Sequence, residues 1–208
     1  MAFVRFAGAA AILAGLAGFA YSVSFVVLAR ADARLGGLLA ELFLLTGAIL
    51  SSAVYVGLYR SLRKVEPGFA GWAAVLGVGG SFGAALHGAY NLAVALNPSG
   101  DRGAAASLPS AADPRGFMTF AVTGVAVLVV SGLIARADGW PSTLAWLGYV
   151  AGALLVVVYL GRLIVLDPAS ALILLPAAVA GFLVNPAWLI WVGLTLRGTA
   201  AGTTPAPG

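Results

Sequence analysis

Four polar residues inside apolar stretches of the chain have side chains that can do chemistry: Glu41, His87, Asn91 and Arg162. His87 is the single histidine and lies four residues before Asn91, a spacing that places both side chains on one face of a helix. A carboxyl group and an imidazole can act as acid and base, bind a polar ligand or pass on a proton. These four residues are therefore the candidate ligand-binding site.

Glu41 is singled out because the other six acids have ordinary structural explanations. They lie in connections or directly before helix starts, where a carboxylate caps free N–H groups: Asp32, Glu66, Asp101, Asp113, Asp138 and Asp167. Glu41 instead lies inside an apolar segment. An unpaired charge in hydrocarbon costs at least about 2.5–3.5 kcal/mol, so we expect Glu41 to face the protein interior and to pair with Arg162.

Each candidate also has an explanation that involves no ligand. Arg162 can extend its long side chain to the lipid headgroups. His87 and Asn91 can join neighbouring helices by hydrogen bonds worth less than about 1–2 kcal/mol each. Glu41 is too short to reach the headgroups, which favours an interior or water-facing position.

The composition indicates where such residues must sit. The chain is 62% hydrophobic and 9% charged, with a mean hydropathy of +1.04. A soluble domain carries about 25% charged residues, so lipid must solvate much of this surface. The absence of cysteine excludes disulfides and thiolate chemistry, and a single histidine excludes a multi-histidine metal centre. No metal, cofactor or catalytic residue is predicted.

Six apolar segments are long enough to cross the hydrocarbon core, which takes about 20 helical residues. They are residues 6–29, 35–59, 68–96, 116–135, 142–166 and 170–196. Residues 97–115 are rich in Pro, Ser, Gly and Asp and predict a long solvated loop, and the tail 198–208 is predicted to be disordered. The fold class is therefore all-α: a polytopic six-transmembrane-helix bundle, with a single domain over residues 1–197.

The distribution of Lys and Arg favours both termini on the inner side of a cell membrane. With the amino terminus inside, six basic residues are inner and five are outer. The dense group at 60–64 and the long loop on the opposite side favour the same N-in/C-in orientation. Because the basic residues form no stripe, nucleic acid is not a predicted partner.

The polar residues lie at similar depth. We define the long-loop end of the bundle as the end that carries connections 1–2, 3–4 and 5–6. At about 1.5 Å per residue, Glu41 lies about 9 Å from this end, His87 and Asn91 about 7–14 Å, and Arg162 about 6–8 Å. Further polar side chains at this depth are Ser22, Ser24, Thr119 and Thr123. We predict one polar pocket that opens to the long-loop end.

Two local motifs lie inside the apolar segments, one in the sixth and one in the third. Asn185–Pro186 interrupts the sixth segment, and the missing N–H of proline predicts a kink or hinge. The stretch GGSFG around Ser81 matches a hydrolase pattern, but that pattern needs a strand–turn–helix elbow and here lies inside an apolar helix. Serine catalysis is therefore not expected.

Three stretches, ADPRGFMTF, GRLIVLDP and GFLVNPAWLIWVGLTL, resemble a bacterial family of six-helix integral membrane proteins that is catalogued as a domain of unknown function. The resemblance covers mainly residues 113–196. It implies a bacterial membrane location and six helices, and it implies no reaction, ligand or catalytic residue.

These features support three classes of function. The leading class is a bacterial inner-membrane protein whose polar pocket binds a small molecule or a lipid, senses it, or supports transport, with a homo-oligomer as a further form. The second is a membrane-embedded enzyme that uses Glu41 and His87 as acid and base, although paired carboxylates and a nucleotide-binding loop are absent from the sequence. The third is a structural accessory subunit without a ligand.

The topology can be tested by labelling single cysteines introduced at Ala104 and Thr203 in intact membranes. We expect an impermeant thiol reagent to label the two sites from opposite sides, because an odd number of spans separates them. Labelling from the same side would contradict either the helix count or the topology.

Overall fold

The computed structural model describes residues 2–96, 113–165 and 170–201, with side chains to residue 199. All regular secondary structure in these residues is helical, and six helices are long and apolar enough to cross a membrane. They are α1 (Ala2–Ala31), α2 (Ala33–Leu62), α3 (Pro67–Leu96), α4 (Pro114–Ile134), α5 (Ser142–Ile164) and α6 (Ala171–Thr199). The predicted all-α class with six helices of spanning length is confirmed.

The ends of the helices differ from the predicted ones by a few residues. Helix α1 begins at Ala2, only Asp32 separates it from α2, and the helical backbone of α6 continues to Ala201. The terminal helix thus includes the first residues of the predicted disordered tail. Residues 97–112, 166–169 and 202–208 lie outside the described part of the chain, and so do the predictions made for Asp101, Asp167 and most of the long loop.

Acidic caps fix the starts of two helices, as predicted. The Asp32 carboxylate accepts hydrogen bonds from the backbone N–H groups of Arg34 and Leu35, both at 3.0 Å. Glu66 does the same for Gly68, at 3.2 Å, and for Phe69. These bonds satisfy donors that a helix start cannot pair internally, which explains why the chain can turn sharply between adjacent helices.

The six helices pack in chain order into a closed ring. Each helix lies against its neighbours in sequence, and α6 returns to α1. Glycines allow the backbones to approach at the crossings. A Cβ atom on Gly8 would lie 2.8 Å from the carbonyl oxygen of Gly193, and one on Gly152 would lie 2.7 Å from that of Gly124. Such close small-residue packing holds helices together where apolar burial alone gives no preference for protein over lipid.

Alanine supplies about half of the buried apolar residues, and many large apolar side chains face outward. Trp188, on α6, is only 2% exposed and belongs to a cluster that draws residues from all six helices. Large apolar side chains such as Val75, Phe82 and Ile164 are exposed on the outer surface. This arrangement suits a bundle whose outer surface is solvated by hydrocarbon.

Three π-helical turns interrupt the spanning helices: Ser24–Leu28 in α1, Phe117–Val122 in α4 and Ala180–Val184 in α6. The third ends directly before the predicted irregularity at Asn185–Pro186. Pro186 has no N–H for the carbonyl of the preceding turn, and Pro176 removes a second donor earlier in the same helix. The backbone of α6 therefore departs from regular α-helical geometry between its two prolines.

The α1–α6 crossing can be tested with two alanine substitutions in one helix. Gly8→Ala forces its Cβ against the carbonyl oxygen of Gly193, at 2.8 Å, whereas a Cβ on Gly18 meets no atom of the described residues within 4 Å. Overpacking costs about 1–3 kcal/mol, and each kcal/mol shifts the melting temperature by about 2–4 °C. We expect Gly8→Ala to lower the melting temperature in detergent by several degrees and Gly18→Ala to leave it unchanged or higher. Equal effects would contradict the crossing.

Candidate functional site

Asn91 is the centre of a polar cluster between α2 and α3. Its Nδ2 atom lies 3.2 Å from Glu41 Oε1 and 3.1 Å from His87 Nε2. The Asn91 amide nitrogen therefore bridges the Glu41 carboxyl oxygen and the His87 imidazole nitrogen. The structure therefore brings together three of the four residues that the sequence placed at this depth: Glu41, His87 and Asn91.

Gly88 explains why the two helices approach at this level. It lies between His87 and Asn91 in the sequence, and a Cβ on it would sit 2.9 Å from the backbone nitrogen of Leu45 and 3.1 Å from the carbonyl oxygen of Glu41. Without a side chain, α3 can lie directly on the backbone of α2. Asn91, one turn further along α3, then reaches the Glu41 carboxyl group.

The bonding pattern uses both hydrogens of the Asn91 amide. The Nδ2 group donates one hydrogen to Glu41 Oε1 and the other to His87 Nε2. In this arrangement Nε2 is the acceptor, so the ring hydrogen of a neutral His87 is on Nδ1. The amide thus fixes both the imidazole tautomer and the orientation of the carboxyl group.

Two buried side-chain oxygens on α2 and α3 have no partner among the described residues. Glu41 Oε2 and the Tyr90 hydroxyl are both inaccessible and have no hydrogen-bond partner. A buried polar atom without a partner costs about 1–3 kcal/mol, and more when it is charged. The Glu41 side chain is therefore only half satisfied by the protein. Its opening toward the long-loop end remains a prediction.

Arg162 does not complete the cluster as predicted. No salt bridge joins it to Glu41 within the described residues; instead its guanidinium lies 5.2 Å from the centroid of the Phe120 ring. The physical reason is the ring order of the helices: α3 and α4 lie between α2, which carries Glu41, and α5, which carries Arg162. The expected Glu41–Arg162 ion pair is thus corrected to a cation–π contact with α4. Arg162 still lies close enough to His87 and Tyr21 to interact with them electrostatically.

Asp113 is a cap, as predicted, but a deeply buried one. It is 3% exposed and accepts hydrogen bonds from the Met118 N–H at 2.6 Å and from the Thr119 hydroxyl at 2.6 Å. The chain reaches this geometry through two residues with positive φ, Arg115 at 54° and Gly116 at 80°. The Asp113 charge also acts on His87, so this carboxylate belongs to the electrostatic surroundings of the cluster.

The same turn ties α4 to α5. Arg115 Nη1 donates a hydrogen bond of 2.9 Å to the carbonyl oxygen of Arg162. A non-glycine residue with φ near +54° is uncommon and costs free energy, which the surrounding contacts must offset. This strained turn therefore lies beside the polar cluster.

Tyr21 was missed by the sequence analysis. It lies close enough to both Glu41 and Arg162 to interact with their charges, and its ring stacks on Phe25 with centroids 5.8 Å apart. A tyrosine near a helix end is usually interpreted as part of the interfacial aromatic belt. Its depth in α1, next to Ser22 and Ser24, was the signal that could have identified it.

Several serine and threonine hydroxyl groups of the region donate within their own helices. Ser22 donates to the carbonyl oxygen of Gly18 at 3.1 Å, and Thr123 donates to that of Met118 at 3.1 Å. Ser81 donates to the Gly77 carbonyl at 2.7 Å inside the continuous helix α3. No nucleophile elbow exists around Ser81, so GGSFG is helix-packing sequence here.

Comparisons of the chain with protein-family models, with curated proteins and with solved structures found no match. In residues 2–96, 113–165 and 170–199, no three His, Cys, Asp or Glu side chains are grouped as metal ligands would be. The function must therefore be argued from the polar cluster itself.

The Glu41–Asn91 bond can be tested with a double-mutant cycle of Glu41→Leu and Asn91→Leu. We expect the two substitutions to be non-additive by about 0.6–1.7 kcal/mol, the range for hydrogen bonds between membrane helices. The measurement is the free energy of unfolding in a detergent titration.

The control cycle combines Glu41→Leu with Ser131→Ala. Ser131 is buried, but its hydroxyl bonds to the Val127 carbonyl of its own helix at 2.7 Å. This pair should be additive within about 0.5 kcal/mol. Additivity in both cycles would show that the Glu41–Asn91 contact contributes nothing to stability.

Proposed function

We propose that this chain is a multi-pass protein of a bacterial inner membrane that binds a small ligand at the Glu41–His87–Asn91 cluster. The six apolar helices support the membrane location. The resemblance of residues 113–196 to a bacterial six-helix family supports the source. Binding, followed by sensing or transport, is the activity that the cluster favours.

The observation that carries this proposal is the unpaired oxygen of Glu41. Oε1 is held by Asn91, whereas Oε2 is buried without a partner. In a structural hydrogen-bond network of a membrane protein, a half-satisfied carboxyl group only costs stability. A ligand that supplies the missing donor converts this cost into binding free energy.

The chemistry of the cluster defines the class of ligand. Glu41 Oε2 accepts a hydrogen bond, and the ring N–H of His87 can donate one. An ammonium group with a neighbouring hydroxyl group satisfies both atoms. The ammonium group donates to the carboxylate, and the hydroxyl oxygen accepts from the imidazole N–H. We therefore expect a small amine or amino alcohol, either free or as a lipid headgroup.

Access to Oε2 requires movement, because the atom is inaccessible in this structure. The π-helical turn Ser24–Leu28 in α1 and the strained turn at Arg115 lie at the same end of the bundle. Irregular turns of this kind are frequent at functional sites and can change register at small cost. They are the elements that we expect to shift when a ligand enters.

The acid–base enzyme is a weaker alternative. Asn91 bonds Glu41 Oε1 and His87 Nε2, so these two atoms cannot exchange a proton directly with each other. A general acid or base must reach the substrate proton directly or through one water.

The accessory-subunit alternative requires that no ligand reaches Oε2.

The proposal can be tested with Glu41→Gln, which keeps the size of the side chain and removes its charge. The probes are ethanolamine and spermidine, measured by thermal shift, with native mass spectrometry of the purified protein to detect co-purified molecules. We expect wild type to bind an amine and Glu41→Gln to bind it about ten- to hundredfold more weakly, since a hydrogen bond to a charged group is worth about 1.5–3 kcal/mol.

Asp138→Asn is the matched control, because Asp138 is an exposed acid at the opposite end of the bundle. This variant should bind the amine as wild type does. Equal binding by Glu41→Gln and wild type would contradict a role for Glu41. A wild-type protein that binds neither probe and carries no co-purified molecule would favour the accessory subunit.

A further inference from the structure

A second candidate site lies at the opposite end of the bundle, which we call the short-loop end. A groove of about 530 Å³ lies between the end of α4 and the start of α5. The residues that line it are Ala135, Ser142, Ala145, Trp146 and Tyr149. It shares no residue with the Glu41 cluster.

The groove has an aromatic wall with a polar edge. The rings of Trp146 and Tyr149 meet edge to face, with centroids 5.7 Å apart, and Trp146 is 70% exposed. The Tyr149 hydroxyl lies beside Gly132, 3.4 Å from the position that a Cβ on this glycine would take. Aromatic side chains with one apolar and one polar end are typical of the interface between acyl chains and headgroups.

Arg136 is anchored at the same glycine. Its Nε donates a hydrogen bond of 3.1 Å to the Gly132 carbonyl oxygen. This bond uses one of the five N–H groups of the guanidinium, and the other four hydrogens are further donors. Arg136 follows the lining residue Ala135 and is not itself a lining residue, but it and the Tyr149 hydroxyl both lie next to Gly132.

The charge of the chain is distributed unevenly between the two ends. The short-loop end carries six basic side chains, all exposed, and two acids, Glu66 and Asp138. The basic residues are Arg5, Arg60, Arg63, Lys64, Arg136 and Arg197. At the long-loop end, the described residues include four basic side chains and three acids. The short-loop end therefore attracts anions.

We infer that the groove binds an anionic phospholipid, with the phosphate at Arg136 and Tyr149 and an acyl chain along the exposed ring of Trp146. The cationic edge fits a lipid phosphate, and the apolar wall fits the chain attached to it. A free phosphate would leave Trp146 uncovered. This inference rests on the membrane location proposed above and is independent of the ligand proposed for Glu41.

The test is native mass spectrometry of the protein from micelles that contain equal amounts of phosphatidylglycerol and phosphatidylcholine. We expect wild type to retain phosphatidylglycerol preferentially. Arg136→Gln should weaken this preference about fivefold, the effect of one basic side chain at a lipid surface. Tyr149→Phe, which removes only the hydroxyl group, should weaken it about two- to threefold.

Arg63→Gln is the matched control, since Arg63 is an exposed arginine at the same end but lies in the connection between α2 and α3, whereas Arg136 lies between α4 and α5. The inference is overturned if Arg63→Gln reduces the preference as much as Arg136→Gln, because the effect is then diffuse surface charge. It is also overturned if wild type shows no preference, or if soluble glycerol phosphate displaces the lipid as well as phosphatidylglycerol does. Amine binding at Glu41 is measured separately, so failure of one proposal is distinguishable from failure of the other.

Discussion

The structure depends on one constraint: a polar group surrounded by apolar side chains costs free energy unless it finds a partner within the protein. Hydroxyl groups meet it locally, since Ser22, Ser81 and Ser131 each donate to the carbonyl one turn earlier in the same helix. A carboxyl group, an amide and an imidazole cannot be satisfied in this way. They need a neighbouring helix, and this need brings α2 and α3 together at Gly88, where the two backbones almost touch.

Close backbone packing also accounts for the large apolar side chains on the outside of the bundle. Helices that meet through glycine and alanine leave little room for bulky residues between them, so these residues face outward. In water such a surface would aggregate, but in hydrocarbon it costs nothing. Close packing through small residues, with bulky apolar residues outside, is visible in the composition, so the composition alone predicted the fold class. It said little about which helices are neighbours.

The sequence predicted depth better than lateral position. Helical rise is nearly constant, so counting residues from a helix end placed Glu41, His87 and Asn91 at one level, and the structure joins them. Counting cannot order helices around a ring, and the expected pairing of Arg162 with Glu41 was wrong because α3 and α4 lie between their helices. The π-helical turns were not predicted either, because uniformly apolar helices carry no periodic pattern in which an extra residue would show.

The two ends of the bundle differ in their polar residues, and they also differ in how regular their backbones are. The long-loop end contains the strained Arg115, the π-helical turns of α1 and α4, and two of the three buried side-chain atoms that lack a partner among the described residues. At the short-loop end the helices begin and end as regular α-helices, and exposed arginines are present. Backbone strain persists only where the surrounding structure stabilises it or where it serves a function. The strained turn at Arg115 and the unpaired carboxyl oxygen of Glu41 therefore lie at the same end of the bundle, which is the end of the proposed binding site.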